Sequence, residues 1–198
     1  MRREPACRSP CDSKGSGENF LAMHVGISVI RKCMSGQQRG HLLVDGYNTI
    51  HACADLHAIF CREAEAARNQ LIEQVRLIHD VDGLCVSLVF DGDGRKIAVE
   101  TPGNQSTFKV IFSSRSLTAD GVIEQFVLND NHPEHCVVIT NDNMIRSSVR
   151  SAGAVAYNAN YLLDWIRRCS QRQAQHIRQL RKRDQTVWQQ SSPWDLLD

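Results

Sequence analysis

From His41 onward, short apolar runs alternate with segments whose apolar residues recur every three or four positions. His41–Asp45 (HLLVD), Leu84–Asp91 (LCVSLVFD), Phe108–Phe112 (FKVIF), Cys136–Thr140 (CVVIT) and Ala154–Tyr157 (AVAY) have the length and composition of strands. Between them, Glu63–His79 spaces Ala64, Ala67, Leu71, Val75 and Ile78 along one helical face, and Thr118–Leu128 does the same with Val122, Ile123, Phe126 and Val127. Ile145–Val149 and a long segment from Asn160 complete the set of expected helices. The alternation predicts an α/β fold with a mostly parallel sheet and helices on both faces. Such sheets carry their sites at the carboxyl ends of the strands.

Either side of this core the pattern changes. Residues 1–40 have no sustained period and mix Arg, Ser, Gly, Cys and Pro, as expected of a poorly ordered leader. The core domain is placed at residues 41–166. Residues 167–198 form a basic extension in which the last helix continues past Ile166, Cys169, Ala174, Ile177 and Leu180, before a mobile end containing Trp188 and Trp194. The longest apolar stretches, such as Leu84–Phe90, fall far short of the roughly 18 to 20 residues of a membrane helix, so no membrane partner is expected.

Charge and cysteine usage refine the picture. The formal net charge of +1 hides a partition: seven Lys/Arg against three Asp/Glu in residues 1–40, nine against sixteen in 41–166, and seven against three in 167–198. An acidic centre with basic ends suits carboxylates gathered for chemistry beside cationic arms for a polyanion, although solvated surface charge has the same composition. The eight cysteines are scattered, with no Cys-x-x-Cys pair and no adjoining His-x-x-x-His, which disfavours both a disulfide scaffold and zinc. A reducing, cytoplasmic compartment is the expectation.

Four carboxylates occupy equivalent places: Asp45 after the first strand, Asp91 after the second, Asp120 at a helix start and Asp142 after the fourth strand. In a parallel sheet all four converge on one edge. Crowded carboxylates disfavour one another's ionisation unless a cation offsets them, and an oxygen-only set favours Mg²⁺ or Mn²⁺ over zinc. Glu124, four residues after Asp120, shares its helical face and joins or supports the cluster. Each aspartate also has a local explanation: Asp45 and Asp91 precede glycine as turn residues do, and Asp120 and Asp142 sit where helix caps sit. The coincidence of four such positions in one alternating pattern is what favours chemistry.

LLVDGYNTIH at 42–51, SLVFDG at 87–92, SLTADGVIEQFV at 116–127 and VVITNDNMIRSSVRSAGA at 137–154 resemble, in order, the motifs of the YacP-like NYN family of PIN-like ribonucleases. The resemblance runs from His41 to about Trp165. It implies a three-layer PIN-like fold, dependence on Mg²⁺ or Mn²⁺ and endoribonuclease activity, with message at the ribosome as one target. Asp45, Asp91, Asp120 and Asp142 then form the catalytic metal site, Asn48 supports it, and Arg68 pairs with a carboxylate or phosphate. The segment after Asp91 and the leader depart from the family pattern.

RNA must be held against an acidic core. The candidates are Arg95, Lys96 and Arg115 near the active edge, Arg146 and Arg150 four apart after Asp142, and Arg167, Arg168, Arg178, Arg181, Lys182 and Arg183 in the extension. Tyr47 is placed to stack on a base or to pack on the core, while His51 and His57 are expected to be structural. Two other functions use the same materials. A non-catalytic module that docks on RNA or the ribosome needs only the basic ends. A haloacid-dehalogenase-type phosphatase is suggested by Asp91-Gly92-Asp93, but that motif belongs on a first strand. An EF-hand starting at Asp91 fails because its twelfth position is Pro102.

Overall fold

The computed structural model describes residues 40–190. The elements are β1 (His41–Asp45), α1 (Gly46–Ala52), α2 (Ala54–Phe60), α3 (Ala64–Asp82), β2 (Cys85–Gly94), β3 (Ala98–Glu100), β4 (Phe108–Ser114), α4 (Ala119–Leu128), β5 (Cys136–Ile139), α5 (Asn143–Ser151), β6 (Val155–Tyr157) and α6 (Ala159–Gln190). The expected leader (all but Gly40) and the Trp194 segment lie outside the described residues.

Six strands form one sheet in the order β3-β4-β2-β1-β5-β6, and every pairing is parallel except β3 against β4. β1 sits in the interior, with Asp45 level with Val89 of β2 and Val44 level with Ile139 of β5. Buried on both sides, β1, β2 and β5 are near-continuous apolar runs rather than alternating ones. One face packs Leu42, Val44 and Leu88 against Leu71, Val75 and Ile78 of α3 and Leu162 and Trp165 of α6. The other packs Leu43, Val89 and Val138 against Ile123 and Val127 of α4 and Val149 of α5. This is the expected mostly parallel sheet between two helical layers.

Two features escape the hydrophobic pattern. α1 and α2 are seven residues each, too short to display a period, and the Asp45-Gly46 pair reads as a turn whereas Gly46 opens a helix. The antiparallel β3 is exposed throughout, so no alternation betrays it.

α6 passes through position 166 without a break. Cys169 is fully buried. The Trp165 indole N–H donates to Asp82 Oδ2 at 2.7 Å, and Arg172 donates to both oxygens of the same carboxylate at 2.7 and 3.1 Å. The helix is therefore docked on the end of α3 as far as Arg172, and from Gln173 to Arg183 it is exposed on all sides. Among the described residues no helix is long and apolar enough to cross a membrane.

Candidate active site

The parallel register brings the ends of β1, β2 and β5 and the start of α4 to one edge of the sheet. Asp45 is the centre of this edge and is only 6% exposed. Its Oδ1 accepts the Asn48 backbone N–H at 3.1 Å, capping α1, and its Oδ2 accepts the Thr140 hydroxyl at 3.2 Å. The Thr140 Oγ1 in turn accepts the Asp142 N–H at 3.1 Å. One hydroxyl thus ties the first aspartate to the fourth. Gly46 is required here by close approach, because a Cβ at that position would lie 2.2 Å from the Phe90 ring.

Asp91 holds the neighbouring segment. Its Oδ1 accepts the Ala119 N–H at 2.9 Å, fastening the start of α4, and it also accepts the Ser113 hydroxyl at 3.4 Å. Ser113 Oγ receives the Gly92 N–H at 3.1 Å, and a Cβ at Gly92 would meet the Ser113 carbonyl at 2.4 Å. The two Asp-Gly pairs are explained by crowding at the strand ends.

Asp120 does not cap α4. Thr118 does so, with its hydroxyl accepting the Gly121 N–H at 3.3 Å, which leaves the Asp120 carboxylate to face the cluster. Asp142 does cap α5, but with one oxygen: Oδ1 accepts from Met144 N at 2.6 Å and Ile145 N at 3.3 Å. Asn48 serves the site through its backbone N–H and through its amide oxygen, which accepts the Asn141 N–H at 3.0 Å and so joins α1 to the β5–α5 loop.

The electrostatics show that these groups share one field. Burial, reinforced by Asp120 and Asp91, pushes the Asp45 carboxyl up to about 6 against the bonds from Asn48 and Thr140. Asp120 is also raised, first by burial and then by Asp142, Asp91 and Glu124. Among the described residues no Lys, Arg or His forms an ion pair with any of the four aspartates. Nor do three of their oxygens draw within 4.8 Å of one another; the trio of side chains that does so lies elsewhere, at His132, Glu134 and His135. Uncompensated carboxylates hold apart in this way. A cluster of hard oxygen donors under mutual repulsion fits a divalent cation of the Mg²⁺ or Mn²⁺ kind.

A groove of about 630 Å³ opens beside Asp91, lined by Tyr47, Arg68, Lys96, Phe112 and Ser113 among others. Arg68 Nη1 donates to the Tyr47 hydroxyl at 2.9 Å, while the Tyr47 ring packs edge-on against Phe60 and Phe90. Tyr47 therefore serves the core with its ring and the groove with its oxygen. Arg95 and Lys96 are exposed in the β2–β3 turn, and Arg115 is exposed just after β4, where its N–H bonds to the Gly94 carbonyl at 3.0 Å.

Other cations named from sequence are already engaged. Arg150 donates to the Ala156 carbonyl at 2.6 Å, bracing the α5–β6 turn, and Arg146 bonds to Asn143. Arg167 pairs with Asp164 at 2.6 Å, and Arg168 lies over the Tyr161 ring. Arg178, Arg181, Lys182 and Arg183 stand on the exposed part of α6. His51 and His57 pack on each other, and His51 on Phe60. Sequence reasoning missed Ser113 and Thr140, whose hydroxyls fasten Asp91 and Asp45, and Asn141, which joins Asn48 to the start of α6; small polar residues at strand ends were the available signal.

The YacP-like NYN domain model matches residues 42–195. An uncharacterized Bacillus subtilis (strain 168) protein, YacP, is 30% identical over 141 residues, covering 70% of this chain and 82% of the relative. The crystal structure of Rae1 (YacP) from Bacillus subtilis superposes with a TM-score of 0.60 at 28% identity, over 78% of this chain and 89% of that one. A crystal structure of a point variant of the same Rae1 gives 0.61 at 27% identity, over 72% and 84% of the respective chains. The mostly parallel sheet accords with these matches, and the chain belongs to the YacP-like NYN family.

Proposed function

We propose that the protein is a metal-dependent endoribonuclease that hydrolyses RNA phosphodiester bonds, using Mg²⁺ or Mn²⁺ held by Asp45, Asp91, Asp120 and Asp142. The observation that carries this reading is the placement of Asp45: a buried carboxylate with Asp120 and Asp91 in its field and, among the described residues, no Lys, Arg or His ion-paired with any of them. When bound, the metal would lower the pKa of a water and neutralise charge developing on the phosphate.

The rest is the work of the chain's own residues. Asn48 and Thr140 fix both oxygens of Asp45, so its orientation is set before substrate arrives. Asp91 locks the start of α4 and thereby the position of Asp120 and, one turn on, Glu124. Arg68 and Lys96 line the groove beside Asp91, where they suit a phosphate of the strand being cut. The exposed cations of α6 after Arg172 add sequence-independent attraction for the RNA backbone. The family resemblance extends the proposal to message on the ribosome, in the cytoplasm, a compartment that suits the free thiols of Cys53, Cys61, Cys85, Cys136 and Cys169.

The test is cleavage of labelled single-stranded and structured RNA with Mg²⁺, Mn²⁺ or EDTA, comparing the wild type with Asp45→Asn. Metal-dependent cutting by the wild type alone is expected. Metal-loaded protein that binds RNA but never cuts it, with ribosomes present or absent, would make the chain a binding module and overturn the proposal.

A further inference from the structure

A second group of metal-ligating side chains lies at the far end of the sheet. β5 starts at Cys136, level with His41 at the start of β1, so the loop leading into β5 sits at the amino ends of the strands, opposite the aspartates. In that loop His132, Glu134 and His135 bring one ligand atom each within 4.8 Å of one another. His132 Nδ1 is 3.2 Å from Glu134 Oε1, and His135 Nε2 is 4.0 Å from the same oxygen. The imidazoles lie nearly parallel, with ring centroids 5.5 Å apart.

The 3.2 Å pair already has a metal's spacing, since a tetrahedral ion with bonds of about 2.0–2.1 Å sets its ligand atoms about 3.3–3.4 Å apart. The 4.0 Å pair has to close, and the stacked rings have to turn so that both nitrogens face one point. The loop is also braced. The His135 N–H bonds to the His132 carbonyl at 2.9 Å, and Asp130 accepts the His132 N–H at 2.9 Å and the Cys136 thiol at 3.3 Å. Pro133 fixes the backbone between the ligands and rests against the α5–β6 turn, 3.4 Å from where a Cβ on Gly153 would be. Glu134 is thus shared between two imidazoles.

We propose that His132, Glu134 and His135 form a second cation site, distinct from the aspartate cluster, that takes a borderline divalent transition ion of the Zn²⁺ class. Two imidazoles and one carboxylate suit such an ion and not Mg²⁺. Three protein ligands leave a fourth position for water or for a donor from another molecule. Cys136 is engaged elsewhere: its buried thiol donates to Asp130 Oδ2 at 3.3 Å. The His-Pro-Glu-His spacing lies outside the Cys-x-x-Cys and His-x-x-x-His patterns, which is why the sequence disfavoured zinc. Because the site is independent of the nuclease reading, it stands or falls alone.

Zinc titration calorimetry on the full-length, EDTA-stripped protein tests it, with thermal melts as a second readout. The wild type and Asp45→Asn should both bind a zinc equivalent that the double variant His132→Ala/His135→Ala loses, together with the zinc-dependent rise in melting midpoint. Mg²⁺ should give no such rise through this loop. His132 is 47% exposed, so a single His132→Asn variant disturbs packing little and should also weaken zinc binding. Equal zinc stoichiometry and equal midpoint shifts in the wild type and the variants, or no zinc uptake by the wild type, would overturn the proposal.

Discussion

Asp45→Asn is expected to abolish activity and yet make the metal-free protein more stable at neutral pH. The carboxyl is 6% exposed and raised from the ordinary 3.8 to about 6 by burial, with Asp120 and Asp91 adding to it. At about 1.36 kcal/mol per unit, holding it ionised in the fold costs about 3 kcal/mol. The sign follows from linkage: because the folded value is the higher one, the favourable contribution is complete below the unfolded value of 3.8 and is lost as pH rises through about 6. At pH above 7 the whole penalty is in force. Asparagine caps helices as well as aspartate does and keeps an acceptor for the Asn48 N–H. It surrenders the acceptor for the Thr140 hydroxyl, at a cost of about 1 kcal/mol. The net gain is therefore about 2 kcal/mol above pH 7, and it reverses to a loss of up to about 1 kcal/mol as pH falls to the ordinary carboxyl value and the penalty disappears. Urea unfolding followed by circular dichroism in EDTA, at neutral pH and again in mild acid, measures it. A variant no more stable than the wild type at neutral pH, or a gain that does not shrink in acid, would refute the reasoning.

Three further substitutions probe the supports. Gly46→Ala forces a Cβ to within 2.2 Å of the Phe90 ring and should cost about 1–3 kcal/mol in denaturant unfolding; an unchanged midpoint would show that α1 can shift freely. Asp82→Ala strands the buried Trp165 N–H and should cost about 1–3 kcal/mol, mostly from that donor, because Arg172 is 43% exposed and its ion pair is screened. The Asp82 carboxyl is lowered, against the effect of its burial, by the bonds from Arg172 and Trp165, so its contribution is present above the ordinary carboxyl value and lost as pH falls through the lower folded value; a variant deficit that persists undiminished in acid would contradict this. Arg68→Gln should weaken RNA binding and reduce the salt slope by about one phosphate contact, as filter binding across a salt series would show; an identical slope would exclude Arg68 from phosphate recognition.

Much of the fold was legible because buried parallel strands announce themselves. HLLVD is an apolar run that ends in a carboxylate, CVVI is one that Thr140 follows at the sheet edge, and α3 and α4 carry the helical period. α1 and β3 were illegible for opposite reasons, the first being too short for a period and the second having no buried face. At the site, sequence placed Asp45, Asp120 and Asp142 on the elements where they stand but ended β2 at Asp91, whereas the strand runs on through an irregularity to Gly94, and it left their local duties open. Asp120 is relieved of capping by Thr118, whereas Asp142 caps and still has a second oxygen. The hydroxyls of Ser113 and Thr140 emerge only from the register, since their partners are 22 and 95 residues away. Arg150 looked available for RNA because its use by the Ala156 carbonyl depends on how the chain turns after α5. The basic extension likewise looked separate from the core, while Cys169 and Arg172 dock its first turns on α3.

The most direct measurement pairs Mn²⁺ binding, followed by the loss of the free-ion paramagnetic resonance signal, with cleavage of a labelled RNA in the same samples. For the wild type, binding and cleavage should rise together with Mn²⁺. For Asp91→Asn and Asp142→Asn, which retain an acceptor for the Ala119 and Met144 amides, both should fall together while the fold persists. Cleavage that survives in EDTA or in these variants, or Mn²⁺ binding that is unchanged by them, would contradict a catalytic metal held by the four aspartates.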